Sequence, residues 1–333
     1  MSVQLNSPLI SVALMTYNQE KYVGEALLSV LNQTYNNLEI IVSDDCSRDG
    51  TWDVVVSMID RYRREGGRHS NIILNRNQAN LGVAKHFEVI LSKCRGEFVV
   101  CQAGDDVSLP ERVQSIVDAL KDNPRATIIL HEAISIDENG HRVDSGVMHT
   151  SALMPLGALM AYSCRVYKEF DPISEKGAWE DDVYARRAQM IGDEVIIEKV
   201  LLKYRIGCGG ISSGRDDIKV RRSRVAMGCL AAARQSRKDL ECCKGEIGEE
   251  RYKRVLKDVD WYEERYVKEY EMYNAPRWNE RFQAFRRFNA GLRPLSWGSK
   301  FVEIMLPNWL AVIFMPIILT ARRVRRICKK WKS

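Results

Sequence analysis

The chain has no pair of cysteines at C-x-x-C spacing and no glycine-rich phosphate loop. Most of its nine cysteines, among them Cys94, Cys101, Cys164 and Cys229, lie in apolar or helical contexts. That reads as reduced thiols in a cytosol and leaves little room for a thiolate metal cluster. The five histidines are scattered and match no ligand spacing, so none is assigned a metal role. With neither G-x-G-x-x-G nor G-x-x-x-x-G-K-[ST], the dinucleotide and P-loop ways of holding phosphate are excluded. The opening MSVQLNSPLISVAL lacks a basic n-region and a cleavage site, so export is not expected. Repeats and low-complexity linkers are also missing. Lys and Arg exceed Asp and Glu by only 50 − 44 = 6, a hint of anionic partners, and with no aromatic-interleaved basic groove nucleic acid is not the expected one.

What is present is a chain of 333 residues, 45% apolar and 28% charged, enough for one large folded domain with an appendage. Its organising stretch is Ser11 to Thr51. The apolar run Leu9–Leu14 is short and partly β-branched and stops at Thr16-Tyr17-Asn18, as a buried strand ending in a turn would. Tyr22, Val23, Ala26, Leu27, Val30 and Leu31 then recur at spacings of three and four, which paints one helix face apolar. Leu38–Val42 is a second apolar strand. A strand-helix-strand unit of this length favours parallel pairing with a right-handed crossover. Both strands then end at one edge, the edge beyond which ligands sit in open α/β sheets. Thr16-Tyr17-Asn18 and Asp44-Asp45 are placed together on that rim. Adjacent carboxylates repel unless something positive or donating lies between them, and a nucleotide base, a ribose or a metal would serve.

SVALMTYNQEKYVGEALLSVLNQTY followed by LEIIVSDDCSRDGT resembles the opening of family-2 glycosyltransferases of the GT-A fold. The likeness continues in order through NLGVAKHF, GEFVVCQAGDDVSLPERV, WEDDVYARRA and YRIGCGGIS, covering about residues 8–213. Such enzymes are inverting, metal-dependent and use nucleotide-sugar donors. The resemblance implies that Tyr17 lies against the base and that Asp45, with Asp44 beside it, contacts it. The family's D-x-D falls on Ala103-Gly104-Asp105, so the first acid is absent, Asp105 keeps the metal-contacting position for Mg²⁺ or Mn²⁺, and Asp106 follows it. In Trp179-Glu180-Asp181-Asp182 it assigns the general base to Asp181. The crowding of that carboxylate by its acidic neighbours should raise its pKa towards useful base strength. Tyr204-Arg205 and Gly209-Gly210-Ile211-Ser212 resemble the segment that closes over the donor diphosphate. There Arg205 and backbone amides would meet its charge, and Gly207-Cys208 stand where relatives often carry histidine.

Along the rest of the chain the pattern predicts helices over Trp52–Arg64, Gly82–Ser92 and Asp181–Ile191, with another opening at Pro110. Strands are predicted over Asn71–Leu74, Phe98–Cys101, Ala126–Leu130 and Val195–Ile197. Residues 144–178 read as irregular, with Gly157 in an acceptor-side wall. From about Asp216 the texture becomes charged and helix-prone. Ile304–Ala321 is then uncharged for 18 residues, about 27 Å as a straight helix against a hydrocarbon core of ~30 Å. Pro307, Pro316 and Asn308 disfavour crossing, and the cations from Arg322 to Lys332 favour anionic lipid.

These readings give an α/β GT-A nucleotide-sugar-binding domain with a mainly parallel sheet over 1–215. A charged helical extension follows over 216–297, and a membrane-associating tail over 298–333. The expected activity is inverting transfer of a sugar from a nucleotide-sugar donor to a lipid-linked or growing glycan acceptor in bacterial surface polysaccharide synthesis. The expected location is the cytoplasmic face of the inner membrane, held peripherally or monotopically. The alternative is a catalytically silent nucleotide-sugar-binding scaffold, favoured by Ala103. The predicted site comprises Thr16, Tyr17, Asn18, Asp44, Asp45, Asp106, Arg205 and Ser212 for the donor, Asp105 for the metal and Asp181 for the base.

Overall fold

Successive residues of the first strands face opposite ways and bury on both sides. Val12, Leu14, Ile40 and Val42 belong to one apolar cluster, and Ala13 and Ile41 to the other. Strands covered on both faces read as continuous apolar runs, the pattern of a sheet sandwiched between helices. A computed structural model describes residues 7–208 and 218–277, with 280 and 282–284. The strands are β1 (Ile10–Thr16), β2 (Leu38–Asp44), β3 (Ile72–Arg76), β4 (Phe98–Ala103), β5 (Val107–Ser108), β6 (Ala126–Ile136), β7 (Met160–Ser163) and β8 (Asp193–Arg205). The helices are α1 (Val23–Leu31), α2 (Thr51–Arg64), α3 (Val83–Leu91), α4 (Arg112–Asp122), the short α5 (Arg165–Lys168), α6 (Glu180–Ile191), α7 (Ile218–Cys242) and α8 (Glu249–Asn274).

One sheet runs in the order β3-β2-β1-β4-β7-β6-β8-β5. Helices α1, α2 and α4 contribute to the cluster on one face, and α3, α5 and α6 to that on the other. Each fully buried Val, Leu or Ile contributes about 1.5–3 kcal/mol by leaving water. β1 pairs parallel with β2 and β4, β2 with β3, and β6 with β8. The sheet is nevertheless mixed, which corrects the mainly parallel expectation. β7 lies antiparallel between β4 and β6, and β5 antiparallel to β8. The reason is local: β7 is only the four residues Met160–Ser163, inside a stretch read as irregular, too short to display a period. β8 is longer than expected because charged, exposed residues such as Glu198 and Lys199 interrupt its apolar signal.

Helices α7 and α8 form a hairpin whose small and aromatic residues pack around α6. Arg187 of α6 and Asp239 of α7, both buried, form an ion pair at 2.7 Å. Among the described residues no helix is long and apolar enough to cross a membrane. Ser212 and the tail over 298–333 lie outside the described residues.

Candidate active site

β1, β2 and β4 run parallel, so Thr16, Asp44 and Ala103 end at one edge, and the turns that follow them line a single rim. The rim's acids are held from within the protein. Asp44, fully buried, accepts from the Ser47 amide at 2.9 Å and from the Ser47 hydroxyl, and pairs with Arg76 at 3.3 Å. Asp45 accepts from Asn77 Nδ2 (2.8 Å) and from the amides of Leu81 (2.9 Å) and Gly82 (3.0 Å). The donors that the adjacent pair requires therefore come from the chain itself. Asn18 completes the turn in a left-handed conformation (φ 51°), which asparagine tolerates. Its amide donates to Ser47 Oγ at 2.8 Å, and its side-chain oxygen accepts from the Arg48 amide at 2.8 Å. Tyr17 is left 40% exposed on the rim.

The turn after β4 carries the second group of acids. Space is tight at Gly104: a side chain would come within 2.5 Å of Gln19 Oε1 and 3.0 Å of the Thr16 side chain, so Gln19 would have to move. Asp105 is half-buried, and Gln19 hydrogen-bonds its side chain. Burial raises its pKa. Asp106 is buried, and its Oδ1 accepts from the Arg205 amide at 2.8 Å. Burial, then the nearby Asp105 charge, pushes the Asp106 carboxyl well up. Its Oδ2 has no partner, and neither has the buried Thr16 hydroxyl. Buried polar atoms left unpaired are rare and mark strain or a missing ligand.

Two hard carboxylates with an orphaned oxygen suit a cation that shares the rest of its shell with phosphate and water. Among the described residues no group of three or more His, Cys, Asp or Glu converges into a complete metal cage. The protein's share of such a site is thus Asp105, with Asp106 next to it.

Arg205 is placed differently from expectation. Its Nε donates to Asp105 O (2.9 Å), its Nη1 to the carbonyls of Asp137 (2.9 Å) and Glu138 (3.1 Å), and its Nη2 to Glu25, while Tyr22 stacks on the guanidinium at 5.0 Å. The side chain is a strut tying β8 to the acidic turn and to α1, with little donor capacity left for a diphosphate. Tyr22 also hydrogen-bonds Cys208, which with burial raises the phenol pKa to about 12.

Asp181 sits in the first turn of α6, half-buried. Its Oδ2 accepts from the Gly157 amide at 3.2 Å and its Oδ1 from the Asp182 amide at 2.9 Å. Its pKa is raised by burial, not by the charge of its acidic neighbours as the sequence suggested. Burial and then the charge of Asp181 raise Glu180 to about 8 and Asp182 to about 7. Beside the loop that holds Asp181, the buried Arg112 ties Ala158 to the end of β4. It donates to Ala158 O (2.7 Å) and Cys101 O (2.9 Å), and to Gln102 Oε1 and Ser108 Oγ at 3.0 Å each. Its Nε donates to His131 Nε2 at 2.8 Å, and a proton on His131 Nδ1 aimed at Glu132 O (3.0 Å) completes a neutral imidazole. Gln19, Ser47, Asn77 and Arg112 were missed in the sequence, because polar residues inside apolar or loop segments carry no period.

The family model for glycosyl transferase family 2 matches residues 11–163, which hold β1 to β7 and the rim acids. Over this segment, a little under half of the chain, the sequence is similar to glycosyl transferase family 2. An uncharacterized glycosyltransferase of Haemophilus influenzae is 34% identical over 122 residues, 37% of this chain and 36% of that protein. The putative glycosyltransferase EpsE of Bacillus subtilis is 31% identical over 137 residues, 41% of this chain and 47% of its own. The matches thus span a third to a half of these curated relatives. The glycosyltransferase fold also resembles S. aureus TarS 1–349 solved with UDP, at TM-score 0.53 and 17% identity over 94% of this chain and 87% of that one. It resembles the mannosyltransferase PcManGT of Pyrobaculum calidifontis, solved with GDP-Man and Mn²⁺, at TM-score 0.61 and 16% identity over 97% and 88%.

Proposed function

We propose that the protein transfers a sugar, with inversion, from a nucleotide-diphosphate-sugar to a lipid-linked or growing glycan acceptor. Its place is surface polysaccharide synthesis, such as O-antigen or capsule, on the cytoplasmic face of a bacterial inner membrane. What supports the reading is that the Gly157 amide holds Asp181 while Arg112 ties the adjacent Ala158 to Cys101 and Gln102, on the strand that leads to Asp105 and Asp106.

The Asp181 carboxylate takes the proton of the acceptor hydroxyl as that oxygen bonds to the anomeric carbon. The bond to the donor diphosphate breaks on the opposite side of the sugar. A raised pKa gives this carboxylate a stronger pull on the proton than a solvated aspartate has. Tyr17 stacks on the base, Thr16 and Asn18 shape the turn beneath it, and Asp45 orders the Leu81-Gly82 loop at its edge. Asp105 would hold Mg²⁺ or Mn²⁺, which when bound offsets the charge of the leaving diphosphate. Ser212 would lie in the segment that closes over the donor.

That PcManGT was solved with GDP-Man and Mn²⁺, and TarS 1–349 with UDP, supports a nucleotide-sugar donor for this fold. A panel of nucleotide-sugars with Mg²⁺ or Mn²⁺, read by released nucleoside diphosphate, tests the proposal, and no release from any donor would count against it. The second reading, a silent donor-binding scaffold, is favoured by Ala103 in place of an acid. It requires donor binding without any release.

A further inference from the structure

Arg205 ends β8 beside the acidic turn, and both its backbone and its side chain grip that turn. Its amide donates to Asp106 Oδ1 at 2.8 Å, which leaves Oδ2 as the oxygen of Asp106 without a partner. Its Nε donates at 2.9 Å to Asp105 O, the carbonyl of the peptide that joins the two acids. The same guanidinium is fixed from two other elements. Nη1 donates to the carbonyls of Asp137 (2.9 Å) and Glu138 (3.1 Å) in the turn after β6, and Nη2 to the Glu25 carboxylate of α1, with the Tyr22 ring 5.0 Å away. Four of its five donors are thereby taken inside the protein, and the side chain is 1% exposed. Helix α1 follows the Thr16-Tyr17-Asn18 turn, so one side chain joins the first turn of the rim to the acidic one.

We propose that Arg205 is a positioning residue for the cation site. It fixes the peptide between Asp105 and Asp106, and with it the direction in which Asp105 presents its carboxylate. This rests on the reading of Asp105 as the metal-contacting acid. A ligand on a turn binds a cation well only when the groups behind it hold its orientation, and losing such a group weakens metal binding by about 10–100-fold. The sign of the effect separates this role from the two others open to the residue. As a charge alone, the guanidinium would repel a neighbouring cation, so removing it would tighten binding. As packing alone, it would support stability without setting cation affinity.

The test is Mn²⁺ binding to the full chain, read from the electron paramagnetic resonance signal of free Mn²⁺ and set beside the thermal transition, for wild type, R205M, R205K and D105N. R205M removes the charge and R205K keeps it, but neither side chain can bridge Asp105, the turn after β6 and Glu25 together. Both should raise the Mn²⁺ dissociation constant by about tenfold or more. A constant that is unchanged or lower in either folded variant, whatever its thermal transition, overturns the inference. If R205M does not fold, R205K decides on the same criterion. The underlying reading fails separately. Wild-type Mn²⁺ affinity in D105N, or no binding to the wild type, removes the metal-contacting role of Asp105 and this inference with it. Lost binding in D105N with unshifted R205M and R205K removes only the role of Arg205.

Discussion

The Gly157 amide donates to Asp181 Oδ2 at 3.2 Å, joining the helix that carries the proposed base to the strand-turn layer beside the metal-side acids. The contact needs little space. A methyl group on Gly157 would lie 3.4 Å from Asp181 Cβ, ordinary van der Waals distance, so it is the amide and not the absent side chain that matters. Gly157→Ala is therefore expected to keep turnover within about threefold of wild type, as surface-compatible substitutions usually do. A loss of two orders of magnitude would show that this loop tolerates no side chain.

Asp105→Asn is expected to abolish most activity while the thermal transition stays near that of wild type, because one lost hard ligand leaves diphosphate charge unmet. EDTA should inhibit the wild type and added Mn²⁺ or Mg²⁺ restore it. Full turnover in EDTA would contradict the metal assignment.

At the opposite edge of the sheet, buried Glu39 accepts from the Ser11 hydroxyl, from the amides of Arg95 and Gly96 and from Arg95 Nε. Burial alone would raise its pKa, but these donors together hold it below the ordinary carboxylate value. A carboxyl depressed in the folded state contributes stability at pH above its unfolded value. That contribution is lost as pH falls through the folded value. Urea unfolding should therefore show stability falling on the acid side of about pH 4.3, the unperturbed value. Glu39→Gln should be destabilised at neutral pH by about 1–3 kcal/mol, with a shallower acid slope. An unchanged slope would reassign the acid sensitivity to other carboxyls.

The buried Arg187–Asp239 pair ties α6 to α7, and Arg187 also donates to Asp171 O at 2.7 Å. Arg187→Ala strands a buried carboxylate and is expected to cost about 3–5 kcal/mol in denaturant unfolding. A loss under 1 kcal/mol would mean that the hairpin docks without this pair.

Apolar runs made the β1-α1-β2 unit legible, and the acids at the strand ends were legible from their order along the chain. Period-based reading failed where a strand was short, as in β7, or half-exposed, as in β8. It also failed where a side chain's partners lie far away in sequence. Arg205 looks like a cation waiting for phosphate, yet Glu25 and the carbonyls of Asp105, Asp137 and Glu138 take its donors. Asp44 and Asp45 look like ligands for something external, yet Ser47, Arg76 and the Leu81-Gly82 amides hold them. Such pairings are made by the fold and have no sequence period to announce them.

Deleting residues 298–333 is expected to release the protein from anionic vesicles while donor hydrolysis continues. In the proposed anchoring each cation of the tail would supply roughly 1 kcal/mol against anionic lipid, and the apolar run before them a second anchor. A truncated protein that still sediments with vesicles at moderate salt would place membrane contact elsewhere.

The account stands on Asp181 as general base. Steady-state release of nucleoside diphosphate by Asp181→Asn, measured beside donor affinity, tests it most directly. A fall in kcat on the order of 10² or more with donor binding nearly unchanged is the expected result, because a base acts in the transition state. Turnover close to wild type would contradict the account and move proton removal to another carboxylate of the α6 turn.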